Sequence, residues 1–208
     1  MRKILVLFWV FLAATVMAQE QAVLRDFSGK VEVMPPRKNW EPAARNLVLP
    51  KGTVVSTGFN SFATLQVGEA TIQVKPLTRM AIEELVKAQG EQKTTLNLKV
   101  GRVNAKVEKV EGLEHDFVLK SPVSTAAVRG TEFEYSGSAL KVFEGVVKYA
   151  NAIGQSRTIT RGEESAIQGL SAPASPEEAA LATSKTEIST RPAGAAASAG
   201  GKASLTGT

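Results

Sequence analysis

The chain has 208 residues, is 43% hydrophobic and 22% charged, and carries a formal net charge of +5, a composition that supports one folded domain with appendages and excludes wholesale disorder. It has no cysteine, one histidine (His115) and two aspartates (Asp26 and Asp116), which excludes disulfides, thiolate or histidine-based metal sites, a cysteine nucleophile and calcium loops built on spaced aspartates. Without Arg2 and Lys3, which belong to the leader, 23 basic residues face 20 acidic ones, a scattered +3 with no basic stripe; nucleic acid is not an expected partner, and any attraction to anionic surfaces is weak and non-specific.

Met1-Arg2-Lys3, an apolar run from Ile4 to Val16, and Met17-Ala18 have the form of a secretory signal peptide over residues 1–18, with small residues placed for a cut before Gln19. The alternative is an uncleaved anchor, for which the run is short. Thirteen residues rise about 20 Å as a helix, against a hydrocarbon core of roughly 30 Å. The mature protein is expected to be exported, to the periplasm in a bacterium, with no stable membrane span after cleavage.

Residues 19–44 are expected to join the folded part as a strand and a loop. Val31 and Val33 alternate with charged neighbours, and Pro35 to Pro42 form a polar, proline-stiffened loop around Trp40. An exposed tryptophan flanked by Arg37 and Lys38 suits a partner-binding surface; the alternative is that Trp40 folds back over one end of the domain. From 45 to 170 the dominant period is two: Ala63, Leu65 and Val67, then Ile72 and Val74, then Leu96, Leu98 and Val100, then Val103, Ala105 and Val107. Such alternation marks strands with one buried face, and a glycine stands at or near the start of many of these runs. The expected fold is all-β: an antiparallel β-sandwich or roll of about ten short strands, or alternatively a short solenoid-like stack. Residues 77–92 read as a strand followed by a polar loop over 88–95. The tail, 171–208, lacks aromatics and valine and is expected to be disordered, except for a short helix over about 176–185 opened by Ser175-Pro176-Glu177-Glu178.

Within the β-region, Ser136-Gly137-Ser138-Ala139 has the composition of a hairpin loop, which sets Tyr135 opposite Leu140 and Phe133 opposite Val142. Continuing that count puts Thr131 opposite Glu144 and makes Arg129 and Glu144 diagonal neighbours. Arg129, Gly130, Thr131, Glu144 and Gly145 are therefore expected to form a structural motif locked by an Arg129–Glu144 pair; the alternative is that Arg129 points out to a ligand.

Catalysis finds little support. His115, beside Asp116 at the start of a strand, reads as a structural or exposed loop-edge residue, and the 18 glutamates single out no opposed pair. No catalytic residue, metal site or cofactor is expected.

The run from Ser121 to Phe133, "SPVSTAAVRGTEF", with "LKVFEGVV" over 140–147 and the later Arg161-Gly162-Glu163, resembles the FecR domain family. "GTVVSTGFNSFATLQV" over 52–67 and "LNLKVGRVNAKV" over 96–107 are similar to it as well. The resemblance covers about residues 45–168. It implies an all-β extracytoplasmic domain without catalytic residues, of the kind that relays a signal from an outer-membrane receptor. Only Met1–Lys3 precede the apolar run, so a cytoplasmic segment handling a sigma factor is not expected. The expected role is a non-catalytic module that binds an envelope protein or cell-wall glycan as a scaffold or signalling partner. The alternative is a membrane-anchored regulator working with a separately encoded sigma-factor module.

Overall fold

The computed structural model describes residues 21–179 except residue 89, together with Leu181. The leader and residues 182–208 of the tail lie outside the described residues. In chain order the first strands are β1 (Ala22–Ser28), β2 (Val31–Met34), β3 (Glu41–Pro42), β4 (Leu47–Leu49), β5 (Val54–Thr57), β6 (Phe62–Val67), β7 (Ala70–Val74), β8 (Arg79–Ala88) and β9 (Glu91–Val100). They are followed by β10 (Val103–Val107), β11 (Glu114–Lys120), β12 (Ser124–Val128), β13 (Glu132–Tyr135), β14 (Ala139–Glu144), β15 (Val146–Asn151), β16 (Ser156–Thr160) and β17 (Glu164–Ala166).

These 17 strands, more than the ten or so expected, form two sheets. Eight follow the order β17-β14-β13-β10-β7-β6-β1-β4, and nine the order β16-β15-β12-β11-β9-β8-β5-β2-β3. The chain advances through both sheets in the same direction, laying one strand or hairpin in one sheet and then crossing to the other. The sandwich is thus built as a progressive stack, which joins the two architectures read from the sequence. The strand count rises because each glycine-marked corner divides a run between the two sheets. Pairing is antiparallel except between β9 and β11, which run parallel from Glu114↔Glu91 to Lys120↔Asn97. Between them β10 pairs in the other sheet, so the chain re-enters the nine-stranded sheet in its former direction.

The period-two pattern points where alternation requires. Val33, Leu65, Ile72, Met80, Leu96, Ala105, Phe117, Phe133 and Tyr149 are all buried between the sheets, and each large apolar side chain contributes about 1.5–3 kcal/mol by leaving water. Val100 breaks the expectation. A bulge at Lys99, where Arg79 faces Val100 but Met80 faces Leu98, turns Val100 outward.

The polar loop expected over 88–95 is also corrected: residues 91–95 belong to β9, in the middle of the sheet. Their ladder bonds to β8 and β11 and the Lys93–Glu84 ion pair at 3.2 Å hold a segment that has little apolar content. The start of the tail is ordered too. Ala174 N donates to Ala166 O at 2.9 Å, and Asn151 Nδ2 donates to the carbonyls of Leu170 and Ser171, both at 3.0 Å. The expected helix start is present at 176–179: Glu178 N donates to Ser175 Oγ at 3.2 Å and Ser175 N to Glu178 Oε2 at 2.7 Å, a reciprocal cap.

The corners stack in two rows along the long edges of the sandwich. One row holds segments 28–30, 57–61, 75–78 and 99–102; the other holds 50–53, 108–113, 129–131 and Gly145.

Candidate functional site

At Arg129-Gly130-Thr131 the chain leaves β12 for β13 in the other sheet, and at Gly145 it returns from β14 to β15. The two crossings lie against each other. Thr131 Oγ1 donates to Val146 O at 3.0 Å. Gly145, at φ +83°, has no room for a side chain: a Cβ would stand 2.7 Å from Gly130 O and 2.8 Å from Thr131 Oγ1. Gly130, Thr131 and Gly145 therefore build a corner, which is the reason for glycine at this place in both runs.

The expected hairpin register is present, with Tyr135 facing Leu140 and Phe133 facing Val142. The Arg129–Glu144 pair is not. A bulge at Phe143 puts Glu132, not Thr131, opposite Glu144, and the crossing at Gly130 leaves Arg129 beside the nine-stranded sheet while Glu144 stays in the eight-stranded one. Arg129 instead reaches sideways to β11. Its Nη2 lies 2.6 Å from Glu114 Oε1 and 2.9 Å from Asp116 Oδ1, and its Nε donates to the same Asp116 oxygen at 3.2 Å. The side chain is 65% exposed. The hydrogen bond to Asp116, helped by the Glu114 charge, holds the guanidinium pKa above its ordinary value. An arginine already engaged by two carboxylates is a poor receptor for a further anion.

Two shallow clefts flank it. One, of about 450 Å³, lies over Val118, Ala127 and Val146 on the outer face of the nine-stranded sheet. The other, about 190 Å³, sits under the 108–113 corner between Lys109, Leu113 and His115. His115 is buried in β11, not at a loop edge. Its Nε2 lies 3.2 Å from Thr94 Oγ1, its ring meets Phe117 edge-on at 5.9 Å, and Nδ1 has no partner among the described residues. Burial pushes the imidazole pKa down. Thr94 and His115 are both buried and make a hydroxyl–imidazole contact, with His115 at the wall of the smaller cleft.

In the loop after β2, Lys38 N donates to Pro35 O at 3.1 Å, with Arg37 at φ +61° in the turn. Arg37 and Lys38 occupy the exposed tip. Trp40, 39% exposed, turns back under the Arg79 guanidinium of β8, 5.3 Å from its ring centroid. The three residues thus share one loop, with Trp40 held against β8.

Sequence reasoning missed the opposite row of corners. Buried hydroxyls fasten each corner there to the next. Ser61 Oγ accepts from Lys30 N at 2.9 Å; Thr57 Oγ1 accepts from Thr78 N at 3.0 Å and donates to Lys75 O at 2.6 Å; Thr78 Oγ1 accepts from Arg102 N at 2.9 Å. Outside this ladder stand Phe59 (81% exposed), Leu77 (50%) and Val100 (61%). The available signal was Gly58-Phe59-Asn60-Ser61, a phenylalanine set within turn residues.

Comparison with known proteins agrees with these motifs. Two crystal structures of a candidate anti-sigma factor from Parabacteroides distasonis are similar in part, with TM-scores of 0.47 and 0.46 and 13% identity. In each, the match covers 55% of this chain and only about half, 54%, of the other. No curated protein matches the chain. Residues 53–148, which hold the hydroxyl-fastened corners, the parallel β9–β11 pair and the glycine crossing, match the FecR protein family, and the chain carries a FecR domain over that stretch.

Proposed function

We propose that this protein is a non-catalytic, exported FecR-domain module that binds another envelope protein or a cell-wall glycan and acts in signalling or regulation. The observation that carries this reading is the FecR match over 53–148. Three features support it. The Ser- and Thr-fastened corners give a stiff frame able to present loops from either edge. The lone histidine is buried, and Arg129 is engaged by Glu114 and Asp116. The leader has the form of a cleavable signal peptide.

Crosslinking in intact cells, followed by mass spectrometry of the captured species, tests the reading. One reproducible envelope protein or a muropeptide is the expected product. Capture of a cytoplasmic protein, or turnover in a hydrolase screen that survives repurification, would overturn it. The apolar run over residues 4–16 keeps a second reading in view, a membrane-anchored regulator paired with a sigma-factor module. N-terminal sequencing separates the two, because an anchored regulator begins at Met1 and the exported module at Gln19.

A further inference from the structure

The two corner rows differ in charge as well as in fastening. Turn segments 28–30, 43–46, 57–61, 75–78, 99–102, 121–123, 136–138 and 152–155 line one long edge, where they carry Lys30, Arg45, Lys75, Lys99 and Arg102 and no carboxylate. The opposite edge carries Glu69, Glu91, Glu108, Glu111, Glu132 and Glu144 at its turns, interspersed with Arg37, Lys38, Lys51, Lys109, Arg129 and Arg161. The first edge is therefore basic at its turns, whereas the opposite edge mixes both signs.

Exposed apolar side chains adjoin these cations. Phe59, Leu77 and Val100 stand on three consecutive corners of the basic edge, since β5, β8 and β9 are neighbours in one sheet and β6, β7 and β10 in the other. Strand spacing sets these corners about 4.8 Å apart, so the three side chains form a short convex ridge. Leu77 N donates to Gly58 O at 3.1 Å and Lys75 N to Arg102 O at 3.0 Å, which holds the cations beside the ridge. Lys30, Arg45 and Arg102 have carboxylate partners set back on strands, namely Glu32, Asp26 and Glu134. Lys75 and Lys99 have no ion pair among the described residues.

We propose that this ridge docks on an anionic phospholipid bilayer, with Phe59, Leu77 and Val100 entering the headgroup–acyl boundary and the lysines and Arg102 lying over lipid phosphates. Charge complementarity selects this occupant: the cations surround the apolar tips, and the turns of this edge bring no carboxylate to the negative surface. Shape agrees, because a convex row of single side chains fits a fluid interface better than it fits a protein groove. Strand addition is disfavoured on this edge, since the corner amides of Lys30, Thr78 and Arg102 are already bonded to hydroxyls. The inference does not depend on which protein or glycan the module binds.

Flotation of the full chain with phosphatidylcholine vesicles, with and without phosphatidylglycerol, tests it. Binding is expected to require phosphatidylglycerol, to weaken with salt, and to fall at least about tenfold in Phe59→Ser/Leu77→Ser and in Lys75→Glu/Lys99→Glu. Val110→Ser, an exposed apolar change at the opposite edge, should leave binding unchanged. Because the chain has no cysteine, a spin label on Phe59→Cys or Val110→Cys is unique, and only the former should become accessible to oxygen dissolved in the acyl region. Phe59, Leu77, Lys99 and Val110 are exposed and Lys75 is half-buried, so circular dichroism should show each variant folded. Vesicle binding that ignores the ridge variants, labels that both stay in water, or ridge-dependent binding to a protein or glycan without vesicle binding would overturn the proposal.

Discussion

The two long edges of the sandwich solve the same problem differently. Each must turn the chain from one sheet to the other without stranding backbone donors in the interior. The edge at 28–30, 57–61, 75–78 and 99–102 does so with serine and threonine hydroxyls that take the corner amides directly. At the FecR crossing, the other edge uses glycines packed against backbone, with the Thr131 hydroxyl tying that corner to Val146 and an exposed Arg129–Glu114–Asp116 cluster outside it. Hydroxyl-tied corners free the outward positions for apolar tips; the glycine crossing leaves its outward positions to charge. A short motif such as "RGT" is thus an instruction for changing sheets, and its arginine is a by-product of which strand lies alongside.

The largest effect should come from filling the glycine crossing. Gly145→Ala sets a Cβ against Gly130 O and Thr131 Oγ1 and is expected to cost about 3 kcal/mol or more in urea unfolding. Gly154→Ala has a similar φ, +87°, but open space around it, so it should cost only about 1–2 kcal/mol. Equal losses would mean that φ alone, not packing of the two crossings, requires glycine at 145.

Next comes the hydroxyl ladder. Thr78→Val keeps the shape but removes the acceptor of the Arg102 amide, and should cost about 1–3 kcal/mol. Thr125→Val, on the outer face of β12, should stay within about 0.5 kcal/mol. Matching losses would show the ladder to be incidental.

How much of this was legible follows from the kind of signal each residue carries. The Tyr135–Leu140 and Phe133–Val142 register was readable because two apolar pairs flank a loop of turn residues, and a slip would expose them. The partner of Arg129 was not, because the bulge at Phe143 and the change of sheet at Gly130 depend on the second crossing at Gly145, which local counting does not contain. The start of β9 was hidden for another reason: Gln92, Thr94 and Thr95 are buried polar residues, and Thr94 meets His115 of β11 while Thr95 donates to Glu84 of β8, neighbours set by strand pairing. The reciprocal cap at Ser175 and Glu178 was readable because it is wholly local.

A smaller effect is expected from His115. Burial lowers its pKa from the ordinary 6.5, so below that pH the unfolded chain binds the proton first and stability declines as pH falls, levelling off below the folded value. Urea midpoints between about pH 7.5 and 5 should show this decline, and His115→Asn should remove it. Carboxylates with lowered values, such as Glu84 and Glu163, contribute only at lower pH, near and below their ordinary 4.5. A slope unchanged by the substitution would place the titrating group elsewhere.

The smallest effect concerns the arginine. A double-mutant cycle should find no coupling between Arg129 and Glu144, and a weak, salt-sensitive coupling between Arg129 and Asp116, as befits an exposed pair. Strong coupling to Glu144 would restore the pairing that the change of sheet removes.

Amide hydrogen exchange tests the central claim most directly, that the corners fasten two sheets into one cooperative stack. The amides of Lys30, Thr78 and Arg102, bonded to Ser61, Thr57 and Thr78, should exchange as slowly as core strand amides such as Leu65 and Ile72, through global unfolding alone. Exchange at those three corners as fast as at the open Gly154 turn would contradict it and reduce the corners to loops.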